Sequence, residues 1–116
     1  MTTLVCGAGG FIGGYIVRSL VAEGVSVRAV DVKPFPDWYQ RFSEADNVSG
    51  DLARARLCKT VMRDVDTVYN LAADMGGMGF IENNKAACML SVLINTHLLM
   101  AAREAGVERL FFASSA

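Results

Sequence analysis

Gly7-Ala8-Gly9-Gly10-Phe11-Ile12-Gly13 follows directly on the apolar run Leu4-Val5-Cys6 and opens a stretch of helical periodicity. A short apolar run that ends at glycine reads as a buried parallel strand, here Thr3 to Cys6. Beyond the glycines, Phe11, Ile12, Tyr15, Ile16, Leu20 and Val21 recur at helical spacing, and Gly24 stops the pattern after Glu23. In such a strand–turn–helix, Gly7 permits the tight turn and Gly10 lets a phosphate approach the backbone. Gly13 lets the helix pack closely on the sheet. The helix N-terminus turns free N–H groups and the positive end of its dipole toward an anion.

Working outward, Val25 to Val30 reads as a second strand that delivers Asp31, 18 residues after Gly13. An acid about 20 residues beyond the last glycine is placed to accept the ribose hydroxyls of an adenosine. Its charge repels a 2′-phosphate, so NAD is expected rather than NADP. Lys33, two residues on, keeps an NADP-dependent carbonyl reductase open as an alternative. Pro34 and Pro36 exclude a central strand or a regular helix from the next segment.

A short strand around Val48 ends at Gly50-Asp51. Asp51 suits either the cap of a helix Leu52–Met62 or a contact to the adenine edge, with Leu52 beside it. Thr67 to Leu71 reads as the fourth strand, Gly76-Gly77-Met78-Gly79 as a flexible loop, Ala86 to Ala105 as a long helix closed by Gly106, and Leu110 to Ala113 as the fifth strand. Alternating strands and helices joined by right-handed crossovers predict an α/β fold. The simplest topology is a Rossmann-like, doubly wound parallel sheet of strand order 3-2-1-4-5, stopping after the fifth strand. Residues 1–116 then form a partial dinucleotide-binding domain.

Composition narrows the field. Apolar residues are 53% of the chain and charged residues 20%, which suits a packed domain. A net charge of −1 without a basic stripe argues against nucleic acid and anionic membrane as partners. The start runs straight into the first strand without a positive n-region, and no apolar run approaches the ~20 residues of a membrane span. Three dispersed cysteines and one histidine imply neither a metal site nor a disulfide framework. They read as reduced thiols, two of them packed, in a cytoplasmic protein. His97, mid-helix, reads as a packed or surface side chain. Cys88 reads as structural, while Met75 and Met78 suit a loop cover over a ligand or a plain loop. The apolar surface of the long helix, with Met89, Leu90, Val92, Leu93, Leu99 and Met100, exceeds one core stripe and predicts self-association.

The spacing G-x-x-G-x-x-G resembles the extended short-chain dehydrogenase/reductases and their NAD-dependent epimerase/dehydratase branch. Asn70-Leu71-Ala72-Ala73 is similar to their N-x-A-A element, and Ser114-Ser115-Ala116 to their S-S element. The longer run from Asn70 to Ile81, with Phe111 to Ala116, is similar to the GDP-mannose 3,5-epimerases. The resemblance spans the chain and matches only the N-terminal part of such enzymes. It implies that Gly7, Gly10, Phe11, Ile12, Gly13, Asp31, Asp51, Leu52, Leu71, Ala72 and Ala73 meet NAD. It also implies that Gly76, Ser115 and Ala116 face a GDP-mannose-like nucleotide sugar, with Ser115 catalytic, in a homodimer that works by transient oxidation at C4. The chain departs from the pattern in lacking Tyr-x-x-x-Lys and the acid–base cysteine, and in carrying Ser91 where relatives have asparagine. Residues 1–116 alone are therefore expected to be inactive. A non-catalytic NAD-binding sensor or interaction module is the competing expectation.

Overall fold

The computed structural model describes residues 2–71 and 85–112, the side chains of 85–92 and 112 excepted. Five parallel strands form one sheet in the order β3-β2-β1-β4-β5, as the alternation of elements predicts. They are β1 Thr2–Cys6, β2 Val27–Asp31, β3 Asp46–Ser49, β4 Val65–Asn70 and β5 Arg109–Phe112. Between them lie α1 Phe11–Ala22, a single 3-10 turn Phe35–Asp37, α2 Ala55–Val61 and α3 Lys85–Ala105.

The central strand explains why the sheet is buried on both faces. Leu4 and Cys6 point into one apolar cluster with Val30, Val68, Met62, Leu98 and Ala102, which lies under α2 and α3. Val5 points the other way, into a cluster with Val17 of α1, Ala29 and Trp38. Strand periodicity of two thus feeds two cores from one apolar run. Register brings the carboxyl ends level: Cys6 stands beside Val30 and Asn70, Asn70 beside Phe112, and Asp31 beside Ser49.

Several element boundaries differ from the sequence reading, two of them for a local reason. β2 begins at Val27 rather than Val25, because the Val25 N–H is spent on the Leu20 carbonyl. With Gly24 at φ +78° and its N–H on Val21, this is a Schellman closure of α1. β4 starts earlier, at Val65, and ends at Asn70, while β5 starts one residue earlier, at Arg109, and the expected Ala113 lies outside the described residues. The expected helix Leu52–Met62 is shorter, Ala55–Val61. Asp51 does not cap it; its Oδ1 accepts from the Ala53 N–H at 2.9 Å, and its carbonyl accepts from Arg54. That turn consumes three residues before α2 can start, and Arg54 occupies the cap without a side-chain bond. The loop read as Gly76–Gly79 lies outside the described residues.

Candidate functional site: the glycine turn and Asp31

The turn after β1 is held by backbone bonds. Gly7 N–H and Ala8 N–H both donate to the Val30 carbonyl, at 2.8 and 3.0 Å, which forces the chain back across β2. Gly7 takes φ +81°, a region closed to most side chains. Three of the glycines that follow have separate causes. A Cβ at Gly13 would stand 2.2 Å from the Gly7 carbonyl oxygen, so α1 touches the turn directly. A Cβ at Gly9 would meet the Asp31 carboxylate at 2.9 Å and Trp38 at 3.0 Å. Gly10 is different. Its φ is −84°, and a Cβ there would make only an ordinary 3.5 Å contact. Among the described residues, no packing contact requires glycine at this position.

Gly10 caps α1 with no side chain, and the first turn of the helix carries no acidic residue. Among the described residues no side chain caps the leading N–H groups of α1, the kind of donors that suit an anion. The Phe11 and Ile12 side chains are half or more exposed, and the core does not account for them.

Asp31 sits at the end of β2, 7% exposed. Its Oδ2 accepts from the Gly9 N–H at 2.9 Å and its Oδ1 from the Lys33 N–H at 3.0 Å. Each oxygen has a further lone pair, so the carboxylate is oriented without being saturated. The Lys33 backbone thus serves Asp31. The proline loop completes the wall: Trp38 is 7% exposed, donates its indole N–H to the Lys33 carbonyl at 2.8 Å and stacks edge-on with Phe35. Tyr39 N–H donates to the Gly9 carbonyl at 2.8 Å, and the Tyr39 ring meets Phe11 at 4.9 Å. Gly9, Trp38 and Tyr39 escaped the sequence reading. The one signal was a lone tryptophan in a loop, an expensive residue to leave in solvent.

Beyond β3, Gly50 N–H donates to the Asp31 carbonyl at 2.9 Å and carries exposed Asp51 to the same sheet edge. Leu52 is 3% exposed and its side chain belongs to the core, so only its backbone is left for a ligand. At the end of β4, Leu71 N–H donates to the Cys6 carbonyl at 2.9 Å. Asn70 is 2% exposed, and its Nδ2 donates to Asn95 Oδ1 of α3 at 2.8 Å. Asn95 was likewise missed. Ala72, Ala73, Met75, Gly76, Met78, Ser115 and Ala116 lie outside the described residues, as do the side chains of Cys88 and Ser91.

Cys6 and Cys58 are fully buried. Burial pushes the Cys58 thiol from its ordinary 9.0 up to about 11, with Asp51 adding to the shift, and pushes Cys6 up further. Both are therefore held as protonated thiols inside the core. His97 is half-buried on α3, and its Nδ1 meets no hydrogen-bond partner among the described residues. No cluster of metal ligands forms among the described residues, and no helix among them is long and apolar enough to cross a membrane.

A parallel sheet of this order, with a glycine turn at the helix N-terminus and an acid at the end of the next strand, defines a dinucleotide-binding Rossmann fold. The glycine at 10, which no contact among the described residues requires, fits a diphosphate lying against the turn. The NAD-dependent epimerase/dehydratase family model matches residues 3–116, and the chain belongs to that family, with NAD as its cofactor. The chain is 43% identical over 113 residues to GDP-mannose 3,5-epimerase 1 of Oryza sativa subsp. indica, covering 97% of this chain and 30% of that enzyme. A UDP-glucose 4-epimerase structure superposes with a TM-score of 0.87 at 27% identity, covering all of this chain and 36% of the other. MoeE5 in complex with UDP-glucose and NAD superposes at 0.83 with 33% identity, over 37% of its length. The chain thus spans about a third of the proteins it matches.

Proposed function

We propose that this chain is the NAD-binding part of a nucleotide-sugar epimerase of the GDP-mannose 3,5-epimerase kind. The observation that carries the reading is the 43% identity to the rice enzyme over 97% of the chain. Asp31 accepts from the adenosine ribose hydroxyls, with its carboxylate aimed by Gly9 and Lys33. The N–H groups of Phe11, Ile12 and Gly13 hold the diphosphate. Asp51 and the Leu52 backbone border the adenine. Leu71, Ala72 and Ala73 pass beside the other half of the cofactor. NAD supplies reversible oxidation of the sugar at C4. The resulting ketone acidifies the C3 and C5 protons, and removing them needs a base within hydrogen-bond reach. Ser115 holds the reacting hydroxyl, while Gly76 and Ala116 shape the sugar pocket. Residues 1–116 contain no Tyr-x-x-x-Lys, so they bind cofactor without turning over the sugar.

Two experiments test this reading. Calorimetric titration should give tighter binding of NAD than of NADP; a preference for NADP would overturn the role of Asp31. A chimera in which residues 1–116 replace the matching third of the rice enzyme should incorporate deuterium from D2O at C3 and C5 of GDP-mannose. A folded, NAD-loaded chimera with no exchange would refute the substrate assignment.

A further inference from the structure

We propose that Asn95 on α3 is a positioning residue for the non-adenosine half of the cofactor site, acting through Asn70. The proposal rests on the NAD-binding reading. Asn70 is the last residue of β4, almost wholly buried, and stands level with Cys6, the last residue before the glycine turn. A buried side-chain amide has four hydrogen-bonding sites to satisfy, and its orientation follows from its partners. Here Nδ2 donates to Asn95 Oδ1 at 2.8 Å across 25 residues of sequence. Asn95 is carried by the helix that sends Leu98 and Ala102 into the core, so the acceptor is held by a packed element. The strand order reverses between β1 and β4. A dinucleotide lying across that point puts its adenosine over β1 to β3, where Asp31 stands, and its other half over β4 and β5. The amide pair fixes the end of β4 on that second side. The next residue, Leu71, is tied by its own N–H to the Cys6 carbonyl.

The test compares Asn95→Ala, which removes the acceptor, with Asn95→Asp, which keeps an oxygen in its place. The probes are NAD, which engages both halves of the site, and AMP, which engages only the adenosine side. Asn95→Ala should weaken NAD by about 5- to 10-fold, the cost of one lost buried hydrogen bond, and leave AMP unchanged. Asn95→Asp should bind both as the parent does. Unchanged NAD binding in Asn95→Ala, equal loss of NAD and AMP, or failure of Asn95→Asp would each overturn the proposal. Should Asn95→Ala not fold, Asn95→Ser withdraws the oxygen from reach with a polar side chain and carries the same expectations. Should the parent bind neither probe, the cofactor reading fails by itself. Hydrogen exchange at the Leu71 N–H then decides the positioning: faster exchange in Asn95→Ala at unchanged global stability supports it, and unchanged exchange refutes it.

Discussion

Gly10 and Gly13 belong to one motif but answer to different forces, and substitution should separate them. Alanine at 13 drives a methyl group into the Gly7 carbonyl, a backbone atom that cannot step aside. Gly13→Ala should cost about 1–3 kcal/mol or more, read as a lower urea midpoint. Alanine at 10 meets no such obstacle and has an ordinary φ. Gly10→Ala should unfold near the parent midpoint, yet weaken NAD about 10-fold or more, because the added methyl holds the diphosphate off N–H donors that bind an anion strongly. The buried thiols carry a second prediction at this scale. Cys6 and Cys58 are held protonated in the fold, while the unfolded chain releases both protons near their ordinary value. Above that value the folded state binds more protons than the unfolded one, so stability is full below about pH 9. It falls as the pH rises toward 11, where Cys58 itself ionises. Denaturant midpoints measured from pH 7 to 10.5 should show that decline, and Cys58→Ser should flatten part of it.

Among the elements, α2 is the one that sequence located least well. The sequence reading starts a helix at Leu52, but Asp51 satisfies its local backbone through a turn, and the helix begins four residues after it. Side-chain competition of this kind is invisible to periodicity. The short helix is secured instead from β2. Arg28 donates through Nη1 to the carbonyls of Val61 and Arg63, at 2.6 and 2.8 Å, and through Nε to Asp46 at 3.0 Å. A guanidinium at the carbonyl end of a helix also opposes its dipole. Arg28→Ala should lower stability by about 1–3 kcal/mol in urea titration, with α2 losing hydrogen-exchange protection before α1 does. By contrast, α1 and its ends were legible, since the glycine start and the Gly24 closure are both local.

At the scale of the molecule, α3 buries Leu98, Ala101 and Ala102 and leaves Leu93, Leu99 and Met100 42–58% exposed. Of the apolar side anticipated from the sequence, Leu93, Leu99 and Met100 are exposed, while the side chains of Met89, Leu90 and Val92 lie outside the described residues. Light scattering after size exclusion should show concentration-dependent association of the parent. Leu93→Glu with Met100→Glu should shift it to monomer without lowering the unfolding midpoint, because neither side chain contributes to the core.

Strand order, the glycine turn and Asp31 were determined by the sequence itself, because each depends on short-range features: apolar runs, handed crossovers, and glycines at a fixed spacing from an acid. The tertiary structure alone decided how Asp31 is aimed. The backbone N–H groups of Gly9 and Lys33 reach it, and a backbone donor carries no residue signature. It alone joined Asn70 to Asn95 as well, since a hydrogen bond spanning 25 residues exists only once α3 has folded back over the sheet.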